Sequence, residues 1–152
     1  MIWPDSRHYP IELRLPVLWG HMDAMGHVNN TVYFRFFESA RVEYMAQMGL
    51  FARQGEDEVV PILASTRCDY KVPLVYPDEV VVGARTVKVG RTSFTQEYAI
   101  WSTAKNALAA QGEGIIVCIE TKSGKPIAVP DDVRAAIERV DKSALTVALD
   151  RA

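Results

Sequence analysis

The chain has 152 residues, a length that fits one domain built around one hydrophobic core. Its 17 basic and 19 acidic side chains give a formal net charge of -2, and this lack of basic excess makes nucleic acid a poor candidate partner. No apolar run approaches the roughly 20 residues of a membrane span, and the first residues, MIWPDSRHYPIELRL, do not resemble a signal peptide. We therefore expect a single cytoplasmic domain over residues 1–152, without membrane contact.

A strand and a long helix are predicted in the first third of the chain. Residues 11–18, IELRLPVL, alternate as a strand does, and Pro16 favours a sheet edge or a bulge. Residues 31–48 change to the period of a helix, and Gly49 stands where a helix-ending glycine belongs. The apolar face of this helix comprises Tyr33, Phe36, Phe37, Ala40, Tyr44 and Met48.

Four further strands and a short C-terminal helix are predicted after the long helix. Residues 62–71 alternate almost perfectly, and segments 79–89, 92–103 and 107–121 have strand composition with turn residues between them. We expect these later strands to form an antiparallel meander. Gly112 and Gly114 indicate a bulge or a close backbone approach in the last one. One helix with a wide apolar face and about five strands predict an α+β fold in which the sheet covers that face.

The candidate functional residues are concentrated in WGHMDAMGHVNN, residues 19–30. Asn29 or Asn30 fits the N-cap of the long helix, whose free amides and positive dipole end then lie just after the Asp23 carboxylate. By itself, an aspartate in such a loop is most often a turn residue. His21, Asp23 and His27 are residue types that bind zinc, but no HExxH or CxxC spacing supports a metal site, and we predict none.

The two cysteines carry no sign of a redox or metal motif. Cys68 and Cys118 are fifty residues apart in apolar segments and lack CxxC spacing. We expect both to be reduced, buried thiols.

Four segments resemble the hotdog-fold thioesterases, specifically the 4-hydroxybenzoyl-CoA thioesterase-like family. They are VLWGHMDAMGHVNNTVYFRFFESAR at 17–41, CDYKVPLVYPDEVVV at 68–82, GRTSF at 90–94 and GKPIAVPDDVRAAI at 124–137. The first is quite specific, whereas the others alone would be weak. The resemblance implies a sheet wrapped around the central helix and hydrolysis of acyl-CoA thioesters without metal or cofactor. It also implies a dimer whose two sheets join edge to edge, with active sites at the subunit interface; whether the homo-oligomer is a dimer or a tetramer stays open.

The resemblance also implies roles for individual residues. An acidic residue ahead of the central helix is essential in relatives, and Asp23 occupies that position. The backbone amide at the helix start, here that of Asn30, is thought to hold the thioester carbonyl. Members of the family often have Asp two residues before the essential one, where this chain has His21. Glu38 is a reserve catalyst, because other hotdog thioesterases use a helix-borne acid, and its alternative role is an ion pair with Arg41.

Substrate contacts are assigned to the same loop and to one hairpin. Gly26 and Asn29 shape the loop next to the substrate, and the helix end near Tyr33 lines the acyl pocket. His27 either positions Asp23 or contacts substrate, or else bonds loop carbonyls. Candidates for binding the CoA phosphates are Lys88, Arg91, Thr92 and Ser93, although such a run is often only a solvated hairpin tip.

The chemistry of thioester cleavage fits this set of residues. Attack on the carbonyl forms an oxyanion that helix amides stabilise, and Asp23 acts either as general base or as nucleophile. A thiol leaving group, with a pKa of about 8.5, does not require a strong general acid. Two other functions stay open: a non-catalytic acyl-CoA-binding or regulatory protein, and a hydratase or dehydratase of enoyl-CoA. The sequence does not identify the acyl group, or distinguish CoA from acyl carrier protein.

Overall fold

The computed structural model describes residues 3, 8–50 and 59–151, with side chains described as far as Asp141. A strand β1 and a short 3-10 turn precede one long helix, α1, and four strands and a second helix, α2, follow it. The bounds are Ile11–Val17 (β1), Trp19–His21 (3-10 turn), Asn30–Gln47 (α1), Val59–Tyr70 (β2), Asp78–Val89 (β3), Ser93–Ser102 (β4), Ala107–Glu120 (β5) and Asp131–Arg151 (α2). The predicted elements are thus all present, and the C-terminal helix continues to Arg151.

The five strands form one antiparallel sheet in the order β1-β3-β4-β5-β2. Strands β3, β4 and β5 form the predicted meander, but β2 does not join it, because it pairs with β5 at the far edge. The connection over residues 71–77 explains this difference, since it is longer than the loops that usually close a hairpin and lets the chain cross from the edge strand β2 past β5 and β4 to β3. Pro16 lies on the opposite edge strand, β1, as predicted.

The predicted apolar face of α1 packs against the sheet. All six of its residues are buried, and Phe37, Ala40 and Tyr44 have no exposed surface. The sheet contributes alternate residues from its inner face, among them Val80, Val82, Ala84, Ile100, Ala110 and Ile116. An antiparallel sheet of five strands around one central helix confirms the predicted α+β hotdog architecture.

Two glycines of β5 let the helix lie close to the sheet. A Cβ atom at Gly112 would lie 2.3 Å from Cε2 of Phe37 and 2.5 Å from the backbone oxygen of Arg67. At Gly114 it would lie 2.9 Å from the hydroxyl oxygen of Tyr98. The rings of Phe37 and Tyr98 stack above these positions, with centroids 5.0 Å apart and planes 22° apart. Of the two predicted alternatives, close backbone approach is therefore correct, since the register of β5 shifts at other positions.

Arg41 begins a chain of buried hydrogen bonds behind this stack. Its Nη1 donates to the Tyr98 hydroxyl at 3.3 Å, and that hydroxyl donates to Oε1 of Gln96 at 2.9 Å. Gln96 is fully buried and donates through Nε2 to the Thr86 hydroxyl at 3.4 Å. Burial raises the pKa of Tyr98, against the opposing effect of Arg41, so its hydroxyl stays protonated and can donate.

The same chain continues to α2. The Tyr44 hydroxyl donates to the carboxylate of Asp141, and Thr86 hydrogen-bonds both groups. Burial raises the pKa of Tyr44 and of Asp141. Helix α2 is therefore connected to the core by polar contacts as well as by its buried apolar residues, Val133, Ala136, Ile137 and Val140.

Both cysteines are reduced thiols, as predicted; Cys118 is buried as expected, whereas Cys68 is only partly buried. Within the described ranges, neither helix combines the length and apolarity needed to cross a membrane.

The start and end of α1 follow from local sequence. The side-chain oxygen of Asn29 accepts hydrogen bonds from the amide of Thr31 at 2.9 Å and from its hydroxyl at 2.8 Å. Asn29, rather than Asn30, is therefore the N-cap. Gly49, with a φ of +77°, follows the C-cap and ends the helix as predicted.

Replacing Gly112→Ala should lower the free energy of unfolding by about 1–3 kcal/mol or more, because its Cβ would meet a backbone oxygen that cannot rotate away. Urea unfolding followed by circular dichroism measures this loss. Gly20→Ala is the control, since its Cβ would have no heavy atom within 4 Å and should change the free energy by less than about 0.5 kcal/mol. Equal losses in the two variants would contradict the close packing of Phe37 on β5.

Replacing Asn29→Ala should cost about 1 kcal/mol of unfolding free energy, because the Thr31 amide loses its acceptor. The matched control is Asn30→Ala, whose exposed side chain does not cap the helix and should have little effect. Thermal unfolding of both variants checks this, and a larger loss for Asn30→Ala would place the cap one residue later.

Candidate active site

Asp23 lies in a narrow loop that backbone hydrogen bonds close. Its amide donates to the carbonyl of His27 at 2.8 Å, and its carbonyl accepts from the amide of Gly26 at 3.1 Å. Gly26 has a φ of +78°, which confirms its predicted role in turning the loop. One carboxylate oxygen, Oδ1, accepts from the amide of Met25 at 2.8 Å. The side chain is only partly buried, so the carboxylate keeps acceptor capacity for a water or a substrate.

Two backbone hydrogen bonds hold this loop in place beside the start of α1. The amide of Asn29 donates to the carbonyl of His21 at 2.9 Å, and the amide of Val28 donates to the carbonyl of Leu74, also at 2.9 Å. Met22 and Val28 form an isolated antiparallel bridge across the loop. The Asp23 loop is therefore fixed directly ahead of the helix.

His21 organises the turn before the loop. Its Nδ1 accepts from the amide of Leu18 at 3.0 Å, which leaves the proton of a neutral ring on Nε2. The ring meets Phe36 edge-on, with centroids 5.7 Å apart. These contacts give His21 a structural role in positioning the helix start.

The first turn of α1 leaves one amide available. The amides of Thr31 and Val32 both bond to Asn29, through its side chain at 2.9 Å and its carbonyl at 3.0 Å. The Asn30 amide has no such acceptor within the described chain. Because it lies at the positive end of the helix dipole, it is suited to bind a negatively charged oxygen.

Tyr70, which was not among the predicted site residues, fixes the orientation of this turn. Its hydroxyl donates to the carbonyl of Asn30 at 3.0 Å, and its ring meets that of Tyr33 edge-on at 4.8 Å. Tyr33 itself is only 3% exposed, and its hydroxyl accepts from the amide of Leu74 at 3.1 Å. In this chain Tyr33 is thus a core residue that braces the helix start. The sequence feature that could have identified Tyr70 is the motif CDYKVP at residues 68–73.

The phenols and the thiol near the helix start are held in their protonated forms. Burial raises the pKa of Tyr33 and of Tyr70, and it raises the pKa of Cys68 to about 11. None of the three is therefore an anionic nucleophile at neutral pH. Asp23, in contrast, carries a carboxylate on the loop directly ahead of the helix.

Glu38 does not form its predicted ion pair. Its carboxylate lies 3.1 Å from Nη1 of Arg35 and not beside Arg41, which turns into the core. Both arginines are three residues away from Glu38 along the helix, so the spacing allowed either partner, and burial of Arg41 decided between them.

His27 has an exposed side chain, and only its backbone carbonyl holds the Asp23 loop.

A cavity of about 270 Å³ begins at the first turn of α1 and lies between this helix and β2. Apolar surface comes from Phe34 and Leu63, while Arg41 lies at the end away from the helix start. The other lining residues are Thr31, Arg35, Glu38 and Thr66. The reserve carboxylate, Glu38, is thus on the cavity wall.

The hairpin predicted to bind CoA lies at the other end of the sheet. The Asp23 loop follows Val17, which pairs with Asp78 at the start of β3, whereas Lys88 is near the end of β3. At roughly 3.3 Å per residue these two ends are about 35 Å apart along the strand. Arg91 and Thr92 follow in the β3–β4 turn and Ser93 begins β4, so one chain does not bring them to Asp23. Among the described residues no group of three His, Cys, Asp or Glu side chains could hold a metal ion.

Comparison with known proteins agrees with this architecture. A thioesterase of Thermus thermophilus, solved in complex with coenzyme A and Zn, is 31% identical, with a TM-score of 0.75 over 88% of this chain and 96% of its own. DHNA-CoA thioesterase from Staphylococcus aureus is 24% identical, with a TM-score of 0.75 over 87% and 91% of the two chains. The long-chain acyl-CoA thioesterase FadM of Escherichia coli is 22% identical over 132 residues, which are 87% of this chain and 100% of that protein.

The family model of the thioesterase-like superfamily matches residues 17–137. That region contains the Asp23 loop, α1 and strands β2 to β5. The chain therefore belongs to the thioesterase-like superfamily.

Proposed function

We propose that the protein hydrolyses acyl-CoA thioesters to the free acid and CoA, and that Asp23 and the Asn30 amide act on the reacting carbonyl. Membership of the superfamily supports thioester hydrolysis in general. The observation that carries the assignment of residues is the Asp23 carboxylate held ahead of a helix whose first amide is free within the described chain. A relative solved with coenzyme A supports CoA as the carrier.

The Asn30 amide would bind the thioester carbonyl oxygen. When the carbonyl carbon becomes tetrahedral, this oxygen gains a full negative charge, which the amide and the helix dipole stabilise. One such donor is worth on the order of 10²- to 10³-fold in rate. The Tyr70 hydrogen bond to the Asn30 carbonyl restrains the first turn, so the amide is oriented before substrate binds.

Asp23 would supply the other half of the reaction by one of two routes. As general base it takes a proton from water while the water oxygen attacks the carbonyl carbon, and the carbon–sulfur bond then breaks to release the CoA thiolate. As nucleophile its oxygen attacks the carbonyl carbon and displaces the thiolate, and water then opens the mixed anhydride. Both routes need only one carboxylate, because the thiolate leaves without a strong acid.

Replacing Asp23→Asn should lower kcat by roughly 10²- to 10⁴-fold on acyl-CoA thioesters, because the amide can neither accept the proton nor attack. Release of CoA across a panel of acyl chains measures this. Glu43→Gln, a neutralised carboxylate on α1 outside the cavity, serves as the control and should retain full activity. A larger loss of kcat in Glu38→Gln than in Asp23→Asn would assign the catalytic role to Glu38 instead. If the wild type binds acyl-CoA without hydrolysing it, the result would favour a non-catalytic acyl-CoA-binding protein.

We also propose a homodimer in which the β2 strands of two copies pair edge to edge. Strand β2 is twelve residues long, and all its residues from Ile62 to Arg67 are exposed. An unpaired edge of this length with exposed apolar residues, Ile62 at 48% and Leu63 at 38%, invites pairing with another strand. A tetramer built from two such dimers is compatible with this interface.

Antiparallel pairing of this kind would complete the site. The Tyr70 end of β2 lies beside the helix start, and its Val59 end lies on the side of the sheet where the β3–β4 turn is found. In an antiparallel pair the Val59 end of one copy meets the Tyr70 end of the other. The turn with Lys88, Arg91, Thr92 and Ser93 of a second copy would then approach the Asp23 loop, where it could bind the CoA phosphates.

Replacing Ile62→Lys should convert the dimer into a monomer, because it places a charge on the apolar edge, and should lower activity by more than tenfold. Light scattering coupled to gel filtration measures the mass. Val42→Lys is the matched control, since Val42 is 46% exposed but lies on α1, and it should stay dimeric and active. A wild type that is monomeric and fully active would contradict an interface site.

A further inference from the structure

Arg41 is a buried cation that the proposed mechanism does not use. Its side chain is on the inner side of α1, and the residue is only 9% exposed. Its Nη1 donates to the Tyr98 hydroxyl at 3.3 Å, and its guanidinium carbon lies 5.8 Å from the centre of the Tyr98 ring. Removing a guanidinium from water is unfavourable unless a counter-charge is present.

No carboxylate among the described residues supplies that counter-charge. Arg41 forms none of the ion pairs found in this part of the chain. The nearest acid along its helix, Glu38, is paired with Arg35. The cavity wall therefore carries two guanidinium groups and one carboxylate, which leaves one positive charge uncompensated.

Two nitrogens of the Arg41 guanidinium, Nε and Nη2, have no hydrogen-bond partner among the described residues. Every fully buried side-chain nitrogen or oxygen in the described chain has a hydrogen-bond partner. Nε and Nη2 of Arg41 have none there, so neither atom is fully buried, and Arg41 lines the cavity between α1 and β2. Nε and Nη2 together form the fork that binds both oxygens of a carboxylate.

The position of the cavity indicates which part of a bound substrate would carry such a carboxylate. Thr31, next to the Asn30 amide, lines one end, and Arg41 lines the other, at most about 15 Å away at 1.5 Å per helical residue. Apolar side chains, those of Phe34 and Leu63, lie on the wall of the same cavity. The cavity thus offers an apolar middle and a cation at its far end.

We propose that the preferred acyl group ends in a carboxylate that Arg41 binds, so that the substrate class is ω-carboxyacyl-CoA with an aliphatic chain of medium length. This inference rests on the proposed thioester hydrolysis at Asp23 and Asn30, and it adds the identity of the acyl group. Bound substrate would supply the counter-charge that the described chain does not give Arg41.

The test compares suberoyl-CoA with octanoyl-CoA, which have eight carbons each and differ only in the terminal carboxylate. The wild type should show a kcat/KM at least about tenfold higher for suberoyl-CoA, since a buried polar group discriminates strongly against a substrate that leaves it unpaired. Arg41→Gln should lose this preference by lowering kcat/KM for suberoyl-CoA alone, while Arg41→Lys should retain part of it. Arg14→Gln, an exposed arginine on β1, is the control and should leave the ratio unchanged.

A second measurement keeps the test decisive if Arg41→Gln does not fold. Free suberate should inhibit wild-type hydrolysis of octanoyl-CoA at least tenfold more strongly than octanoate does. Three results would overturn the carboxylate proposal: equal inhibition by the two free acids, equal kcat/KM for the two thioesters, or a kcat/KM ratio that Arg41→Gln leaves unchanged. In each case, hydrolysis of octanoyl-CoA would still support the proposed thioester hydrolysis. If neither thioester is cleaved, the proposed function fails first and this inference falls with it.

Discussion

The architecture depends on how closely α1 lies on β5. The rings of Phe37 and Tyr98 occupy the space that side chains at Gly112 and Gly114 would fill. Interiors are close-packed, so this contact sets the depth of the helix in the sheet. The depth in turn brings the first turn of α1 within reach of Tyr70 on the edge strand. A packing constraint in the middle of the helix thus determines where its N-terminus is held.

The candidate site uses backbone geometry more than side-chain chemistry. The helix provides an amide donor and a dipole, and the closed loop directly ahead of it carries a single carboxylate, that of Asp23. The neighbouring phenols and the Cys68 thiol are kept neutral by burial, so they shape the site without adding charge. Such a site can stabilise a developing oxyanion with little reorganisation, because its donor is fixed by the helix.

Local patterns explain what the sequence could predict. The buried face of α1, its cap at one of the two asparagines 29 and 30 and its end at Gly49 depend on residues within a few positions of each other, and all three are confirmed, with Asn29 as the cap. The position of β2 beside β5 was not predictable, because it depends on a long crossover connection. Tyr70 was missed because its contact with the helix start spans forty residues and leaves no periodic signal. The Glu38 pairing was wrong because helical spacing offered two equivalent partners.

The buried hydrogen bonds between Arg41 and Asp141 have a consequence for how substitutions combine. They pass through Tyr98, Gln96, Thr86 and Tyr44 without a break and so connect the cavity to the C-terminal helix. Residues that share one network do not contribute independently to stability. The energetic effects of changing its two ends, on different helices and far apart in sequence, are therefore coupled, and a double substitution will not equal the sum of the single ones.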